Sequence, residues 1–343
     1  MQNKGLIGLI AVTAVAVAVA VLVARGGGAP KDDPLVGTRV LPEIGQRLDG
    51  VARIALVRGD IKTTLVRKGD AWNVEEKGGY AANATKVHQA ILGLADLAFV
   101  EPKTKKSDLY PRLELEDADK KGAKSTLVTV SDDKGSLLGE IIAGKRSVDA
   151  LGGGNDGLYV RKPGDAQSWL ARGTLDLSGD TAGWLETKLL DVPADQVKSV
   201  TLTAPDGASF TFTRLKQGDA LALATPPPAG KKLKSDSALD EPAGALAGLE
   251  LSDVQPAKDM TFPPGVVAGA RYETFDGLVV TVSLVNKDGT EWARIAATGS
   301  GDAQARAADL GAKLSPWVFG LPTYKTKLLR TKLDDLLEAA KGS

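Results

Sequence analysis

The sequence predicts an α+β protein, in which an N-terminal transmembrane helix precedes two related modules, each an antiparallel β meander with a packed helix. One apolar stretch near the N-terminus is long enough to cross a bilayer, and β-like runs separated by turn residues follow it. Several of these runs recur in the same order about 150 residues later. The predicted division is an anchor at residues 1–25, a linker at 26–48, a first module at 49–190 and a second module at 191–343.

Residues 5–24, which begin at Gly5 and end at Ala24, carry no charge. Twenty helical residues cover about 30 Å, the thickness of a bilayer hydrocarbon core. The alternative is a cleaved signal peptide, because Ala18-Val19-Ala20 fits the small-residue cleavage pattern, although the apolar region of a signal peptide is usually shorter. Since no second apolar span follows, we expect one pass through the inner membrane and a periplasmic location for the bulk of the chain.

Four landmarks of the two modules occur in the same order. They are the strands at residues 51–56 and 197–202, the Gly-Asp turns at 69–70 and 218–219, the Gly-Leu pairs at 93–94 and 248–249, and the Val-Thr-Val-Ser runs at 128–131 and 280–283. Between the first and last landmarks the offset stays near 150 residues, so we predict that the halves are related. The last landmark pairs the strand near residue 130 with the strand near residue 282.

After the predicted anchor, helices are expected in four further places. Residues 83–97 follow a possible N-cap, Asn83, and carry apolar residues at helical spacing. The counterpart at 235–249 contains Pro242 and Gly244, which weakens the prediction. A short helix is predicted at 181–190. A longer amphipathic helix is predicted at 323–340, where basic residues precede acidic ones, so packing or a partner should hold it.

Alternating runs predict strands at residues 125–130 and 278–284, with turns after them at 132–135 and 286–289. Loops are predicted at 152–157 and 226–232, because their Gly and Pro residues continue neither the helical nor the strand period.

Several segments together resemble the bacterial family known as domain of unknown function 4340. They are the anchored N-terminus, the meander that ends in Trp72, the segment from Tyr80 to Asn83, and the segments at residues 138–146, 157–161 and 184–190. The second half departs from the pattern, with Leu221 where Trp72 would stand and no equivalent of the Tyr-Val-Arg at residues 159–161. The resemblance implies an envelope component beside ABC transporters of the gliding-motility type, without an assigned activity.

Composition limits the chemistry. The chain has 343 residues, 43 Lys and Arg against 43 Asp and Glu, one His and no Cys. Balanced charge disfavours nucleic-acid binding, and the lack of Cys excludes disulfides and thiolate metal sites. We predict no nucleic-acid partner, no metal site and no cofactor.

Three motifs favour a structural interpretation. Residues 139–146 approach a phosphate-binding loop, but Arg146 stands where a Ser or Thr is needed and the run looks like a strand. His88 should lie at the edge of the buried face of its helix. The acidic cluster at residues 114–119 lacks the spacing of a calcium loop and is interpreted as a solvated turn.

Five residues could form an interaction surface: Trp72, Tyr80, Tyr159, Arg161 and Trp184. For the aromatic residues core packing is the default interpretation. Arg161 could hold an anionic group, or it could be an ordinary cation of a sheet edge.

No pattern identifies catalytic residues, so the leading hypothesis is a non-enzymatic, membrane-anchored periplasmic accessory or interaction module. It would bind protein partners in the envelope and serve an ABC-type transport or envelope assembly system. The alternative is an envelope hydrolase that uses two carboxylates, or a carbohydrate-binding protein. A purely structural spacer is a third possibility.

Overall fold

The structure is a computed structural model that describes residues 33–153, 156–263 and 268–340. It is a mixed α+β fold, mostly antiparallel strands with few helices, as predicted. The predicted transmembrane helix at residues 5–24 lies outside the described residues. Within the described ranges, no helix has both the length and the apolar character that a bilayer crossing requires.

The chain forms two compact units, and neither is continuous in sequence. The first unit holds residues up to Asp70 together with Thr85–Asp180. The second holds Ala71–Ala84 together with the chain from Thr181 onwards. A short segment from the first half of the sequence therefore belongs to the second unit. The predicted module boundary between residues 190 and 191 stays a prediction.

In the described ranges before residue 180 there are nine strands and three α-helices. The strands are β1 (Arg53–Arg58), β2 (Ile61–Lys68), β3 (Ala71–Val74), β4 (Tyr80–Ala81), β5 (Ala98–Pro102), β6 (Thr126–Ser131), β7 (Leu137–Ser147), β8 (Gly157–Arg161) and β9 (Ser168–Arg172). The helices are α1 (Pro42–Gln46), α2 (Ala84–Asp96) and α3 (Tyr110–Leu113). Strands β3 and β4 form the hairpin that belongs to the second unit.

The remaining strands and helices lie in the second unit. The strands are β10 (Lys188–Leu190), β11 (Val197–Thr203), β12 (Ser209–Thr213), β13 (Ala222–Leu223), β14 (Lys231–Leu233), β15 (Leu249–Glu250), β16 (Asp253–Pro256), β17 (Gly269–Thr274), β18 (Leu278–Lys287), β19 (Thr290–Gly299), β20 (Trp317–Gly320) and β21 (Leu337–Ala339). The helices are α4 (Asp240–Ala243), α5 (Gln304–Leu314), α6 (Thr323–Leu329) and α7 (Leu333–Leu336).

Each unit contains seven antiparallel strands that lie side by side in a sheet, and these seven strands have the same order in both units. In the first unit the order is β2-β1-β6-β7-β8-β9-β5. In the second unit it is β12-β11-β17-β18-β19-β20-β16. These seven strands of the first unit therefore each have a counterpart among the seven strands of the second unit.

The strand order corrects one of the sequence landmarks. Strand β6 pairs with β1, and β17 pairs with β11, which holds the equivalent position in the second sheet. Strand β17 is therefore the counterpart of β6. The Val-Thr-Val-Ser landmark of the sequence instead pairs β6 with β18. That match was wrong because an alternation of Val and Thr is common to most half-buried strands and does not identify a particular one.

The central predicted elements are confirmed. Along β6 buried and half-buried residues alternate, and in β18 the side chains of Leu278, Val280 and Val282 are buried. Helix α2 buries Val87 and Leu94 on one face. Burial of one face in each element supplies the hydrophobic stabilisation that fixes its register.

Three predicted helices are wrong or incomplete. The segment at 181–190 forms only a 3₁₀ turn, Ala182–Trp184, and then β10, which pairs with β15. The counterpart of α2 is reduced to the four residues of α4 and one 3₁₀ turn, in keeping with Pro242 and Gly244. The helix predicted at 323–340 stops at Leu329, and its last residues form β21, because they pair with β14. The predicted loop at 226–232 is therefore shorter than expected, because Lys231 and Lys232 belong to β14.

Candidate binding cleft

A cleft of about 800 Å³, with polar and apolar surface in similar shares, lies in the second unit, where the β18–β19 hairpin ends beside α6 and α7. Its volume is within the range of small-molecule sites. The lining consists of hydroxyl, charged, amide and small or aliphatic residues: Ser252, Asn286, Gly289, Thr290, Glu291, Leu321, Pro322, Thr323, Thr326, Lys327, Arg330, Thr331 and Asp335.

Local sequence explains both walls of the cleft. Asp288 and Gly289 form the two-residue turn of the hairpin, with φ values of 53° and 79°. Positive φ at both positions is typical of the Asp-Gly turns that match the twist of paired strands. On the other wall Pro322 precedes α6, and its carbonyl accepts hydrogen bonds from the Lys325 and Thr326 amides.

An ion pair joins the two walls. Arg330 donates from Nε at 3.1 Å and from Nη2 at 2.6 Å to Oε2 of Glu291. The other carboxylate oxygen, Oε1, accepts a hydrogen bond of 2.9 Å from the Asn286 amide. Both oxygens of Glu291 are therefore engaged, and its charge is compensated within the cleft.

The second acid of the cleft also has a structural partner. Asp335 accepts a hydrogen bond of 3.0 Å from the Lys332 amide and so caps the start of α7. Lys327 is exposed at the rim. The four charged lining residues are two acids and two bases, so the charges of the lining cancel.

A buried lysine anchors α6, one of the elements that line the cleft. The Lys325 side chain is buried, and Nζ donates a hydrogen bond of 2.5 Å to the Ala247 carbonyl. Burial lowers the pKa of Lys325, and the nearby acids Asp191 and Glu250 act in the opposite direction. This lysine does not line the cleft, and its hydrogen bond fixes the position of the helix that does.

The structure does not bring the five predicted surface residues together in one site. Trp72, Tyr80 and Trp184 are buried in the second unit. The Tyr80 ring lies edge-on to Trp317 at 5.0 Å between ring centroids. Burial, with the charge of Glu186 nearby, raises the pKa of Tyr80 to about 12. Core packing, the default interpretation, describes these three aromatic residues, and they form no exposed surface.

Arg161 lies in the first unit and is buried, not an exposed cation of a sheet edge. It donates to the Leu115 carbonyl at 3.1 Å and to Asp117 at 2.7 Å, and its guanidinium lies 4.6 Å from the centre of the Tyr110 ring. The hydrogen bond from Arg161 is the main reason why the pKa of Asp117 is lowered. The N–H groups of the Arg161 guanidinium are thus directed to acceptors of the same unit. Tyr159, two residues earlier, is half-buried.

Two of the other motifs fall where the structural interpretation put them, whereas His88 is more exposed than the predicted edge of the buried face. Residues 139–146 lie within β7, so no phosphate-binding loop forms there. Of the acidic cluster, Glu116 accepts a hydrogen bond from the Lys124 amide and Asp117 is paired with Arg161. His88 is exposed on α2. In the described part of the chain no group of three or more His, Cys, Asp or Glu residues is arranged to hold a metal.

The cleft residues themselves were not anticipated from the sequence. They come from residues 252, 286–291 and 321–335, which only the sheet brings together. The one local signal was the Asp-Gly turn, which predicted a hairpin but not a site.

The fold and the cleft together define the class of protein: an α+β protein with two units that share a strand order, one of which carries a cleft lined by hydroxyl and charged residues. The family model described as "Domain of unknown function (DUF4340)" matches residues 72–263. This is more than half of the chain, and the protein belongs to that family. Comparison with curated proteins and with solved structures gave no significant match. Apart from Ser252, the cleft residues lie outside the matched range.

Proposed function

We propose that this protein is a membrane-anchored binding module of the cell envelope, an accessory of an ABC-type transport or envelope assembly system, with its cleft on the periplasmic side. The observation that carries the proposal is that both acids of the cleft are already engaged in hydrogen bonds with other residues of the chain. Glu291 is held by Arg330 and Asn286, and Asp335 caps a helix. A general acid or a nucleophile needs a carboxylate that is free to exchange a proton or attack. A cleft with engaged acids is suited to binding.

Two sequence features support the location. The uncharged stretch at residues 5–24 has the length of a membrane span, and Gly26, Gly27 and Gly28 begin a turn-rich tether after it. The equal strand order of the two units supports the proposal that they are related modules. In this proposal the sheets are scaffolds, and protein partners in the envelope hold the module in place.

The location is tested with the full chain carrying a C-terminal epitope. Protease added to spheroplasts should remove the epitope while a cytoplasmic marker stays intact. Replacing Val15 and Val19 by Arg should release the protein from the membrane, since a charged residue at the centre of a span costs about 3 kcal/mol. A protected epitope, or membrane association that survives both substitutions, would contradict the proposal.

The partner is tested by a photo-crosslinking residue at Tyr324, an exposed aromatic on α6. The matched control is Leu215, which is also exposed but lies between β12 and β13. We expect a crosslink from Tyr324, and not from Leu215, to a subunit of a transport or assembly complex identified by mass spectrometry. Failure of both positions to crosslink to such a subunit would count against the accessory role.

A further inference from the structure

We propose that the cleft binds a neutral, polyhydroxylated ligand, namely a short saccharide chain. The inference rests on the proposed binding function and names the class of ligand. It follows from the charge, the hydroxyl content and the size of the cleft.

The charge of the lining disfavours an ionic ligand. Glu291 is compensated by Arg330, and both of its oxygens already accept hydrogen bonds. Lys327 and Asp335 bring opposite charges to the same lining. An anion attracted by Lys327 would be repelled by Asp335, and a cation attracted by Asp335 would be repelled by Lys327. A neutral ligand avoids both penalties.

The hydroxyl groups supply donors and acceptors for such a ligand. Five of the lining residues are Ser or Thr. Thr326 and Thr331 donate to carbonyls of their own helical segment. The hydroxyls of Ser252, Thr290 and Thr323 have no hydrogen-bond partner within the ranges that the structure describes. A hydroxyl can donate and accept, which matches the alternating roles of sugar hydroxyls.

The remaining lining favours a saccharide over a peptide. An extended peptide is usually selected by apolar pockets that take alternate side chains. Here Leu321 and Pro322 are the large aliphatic members of the lining, and Leu321 is itself buried. No lining residue is aromatic, so contact with a sugar would depend on hydrogen bonds to its edges and not on stacking. We therefore expect weak but saturable binding.

The test uses the full chain, purified without sugar-based detergents, and ligand-observed NMR titration with maltotriose, cellotriose, chitotriose and mannotriose. We expect saturable binding of at least one of these neutral trisaccharides. The T290A/T323A double variant removes two free hydroxyls at exposed or half-buried positions and should weaken that binding about tenfold. The matched control is T281A/T298A, which removes two exposed strand hydroxyls outside the cleft and should leave binding unchanged.

Three results would overturn the inference: no saturable binding of any neutral trisaccharide, equal binding by T290A/T323A and the wild type, or tighter binding of the anionic trigalacturonate. Circular dichroism of each variant separates lost binding from lost folding. Crosslinking from Tyr324 does not involve a saccharide, so the inference can fail while the proposed accessory role stands.

Discussion

The two units share a strand order but differ in what is attached to it. In the first unit a tight connection at residues 162–167 joins β8 to β9, whereas the equivalent connection in the second unit carries α5. The first unit has the long helix α2 where the second has the four-residue α4. The second unit also extends beyond β20 into α6, α7 and β21. The comparison teaches that the sheet is the constant scaffold, and that the cleft forms where the added segments lie beside one of its hairpins.

The units also differ in how an arginine is used. In the first unit Arg161 is buried and holds a loop in place through Leu115 and Asp117. In the second unit Arg330 is part of a cleft wall and remains partly exposed. Arg161 thus stabilises the packing of the first unit, whereas Arg330 compensates the charge of Glu291 in the candidate site.

The largest expected effect concerns the hairpin formed by β3 and β4. A fragment of residues 191–343, the predicted second module, lacks this hairpin, whose Trp72, Val74 and Tyr80 are buried in the second unit. We expect the fragment to show no cooperative thermal unfolding by circular dichroism, because the apolar surface that the hairpin covers is left exposed. A second fragment, 181–343 with residues 71–84 fused in front, restores the hairpin together with its neighbours at 181–190 and should recover a transition. Cooperative unfolding of both fragments at the same temperature would refute this account.

The two arginines can be compared by removing their acidic partners. Asp117→Ala should lower the free energy of unfolding by about 2 kcal/mol, because it leaves a buried guanidinium without its charged acceptor. Glu291→Ala should cost about 1 kcal/mol or less, because Arg330 retains contact with water. Urea denaturation measures both values. An equal or reversed order would mean that the burial of Arg161 does not govern its contribution.

A smaller difference is expected for two tyrosines that donate to backbone carbonyls. Tyr272 in the second unit is fully buried and donates to the Pro242 carbonyl at 2.7 Å. Tyr110 in the first unit is slightly exposed and donates to Ala166 at 2.6 Å. Tyr272→Phe should cost about 1.5 kcal/mol, since water cannot replace the lost donor, and Tyr110→Phe about 1 kcal/mol. Chemical denaturation of the two variants side by side checks the order.

The smallest expected effect concerns a feature that the two units share, and it changes stability only at acidic pH. Asp132 in the β6–β7 turn and Asp276 in the equivalent β17–β18 turn both have a lowered pKa. The main causes are a hydrogen bond from the Ser136 amide to Asp132 and one from the Thr274 hydroxyl to Asp276. A carboxyl whose pKa is lowered in the folded state stabilises the fold at any pH above its ordinary pKa, near 4. That stabilisation is lost as the pH falls through the lowered pKa of the folded state.

Asp132→Asn and Asp276→Asn should therefore each reduce the fall in stability below about pH 4. Thermal melting of the variants between about pH 2 and pH 6 gives the slope. Asp133→Asn, at an exposed neighbouring position, is the control and should leave the slope unchanged. A slope that is the same in wild type and both turn variants would mean that these two turns do not contribute to acid sensitivity.

Local sequence patterns predict much of the fold. Helix α2 was predictable because its apolar residues follow the helical period, and β6 and β18 because buried and less buried residues alternate. The C-terminal helix was only partly predictable. Its residues have high helix propensity, yet the segment after Leu329 breaks because β21 pairs with β14, a strand about 100 residues earlier. Tertiary pairing decided that segment.

The sequence by itself determined the α+β class, the family resemblance and the main strands, because periodic burial and turn chemistry act over a few neighbouring residues. Only the tertiary structure decided that Ala71–Ala84 joins the second unit and that Ser252, Glu291 and Arg330 line one cleft. Those relations depend on which strands become neighbours in a sheet. Residues about 40 apart along the chain are brought together by that pairing, and no local pattern encodes it.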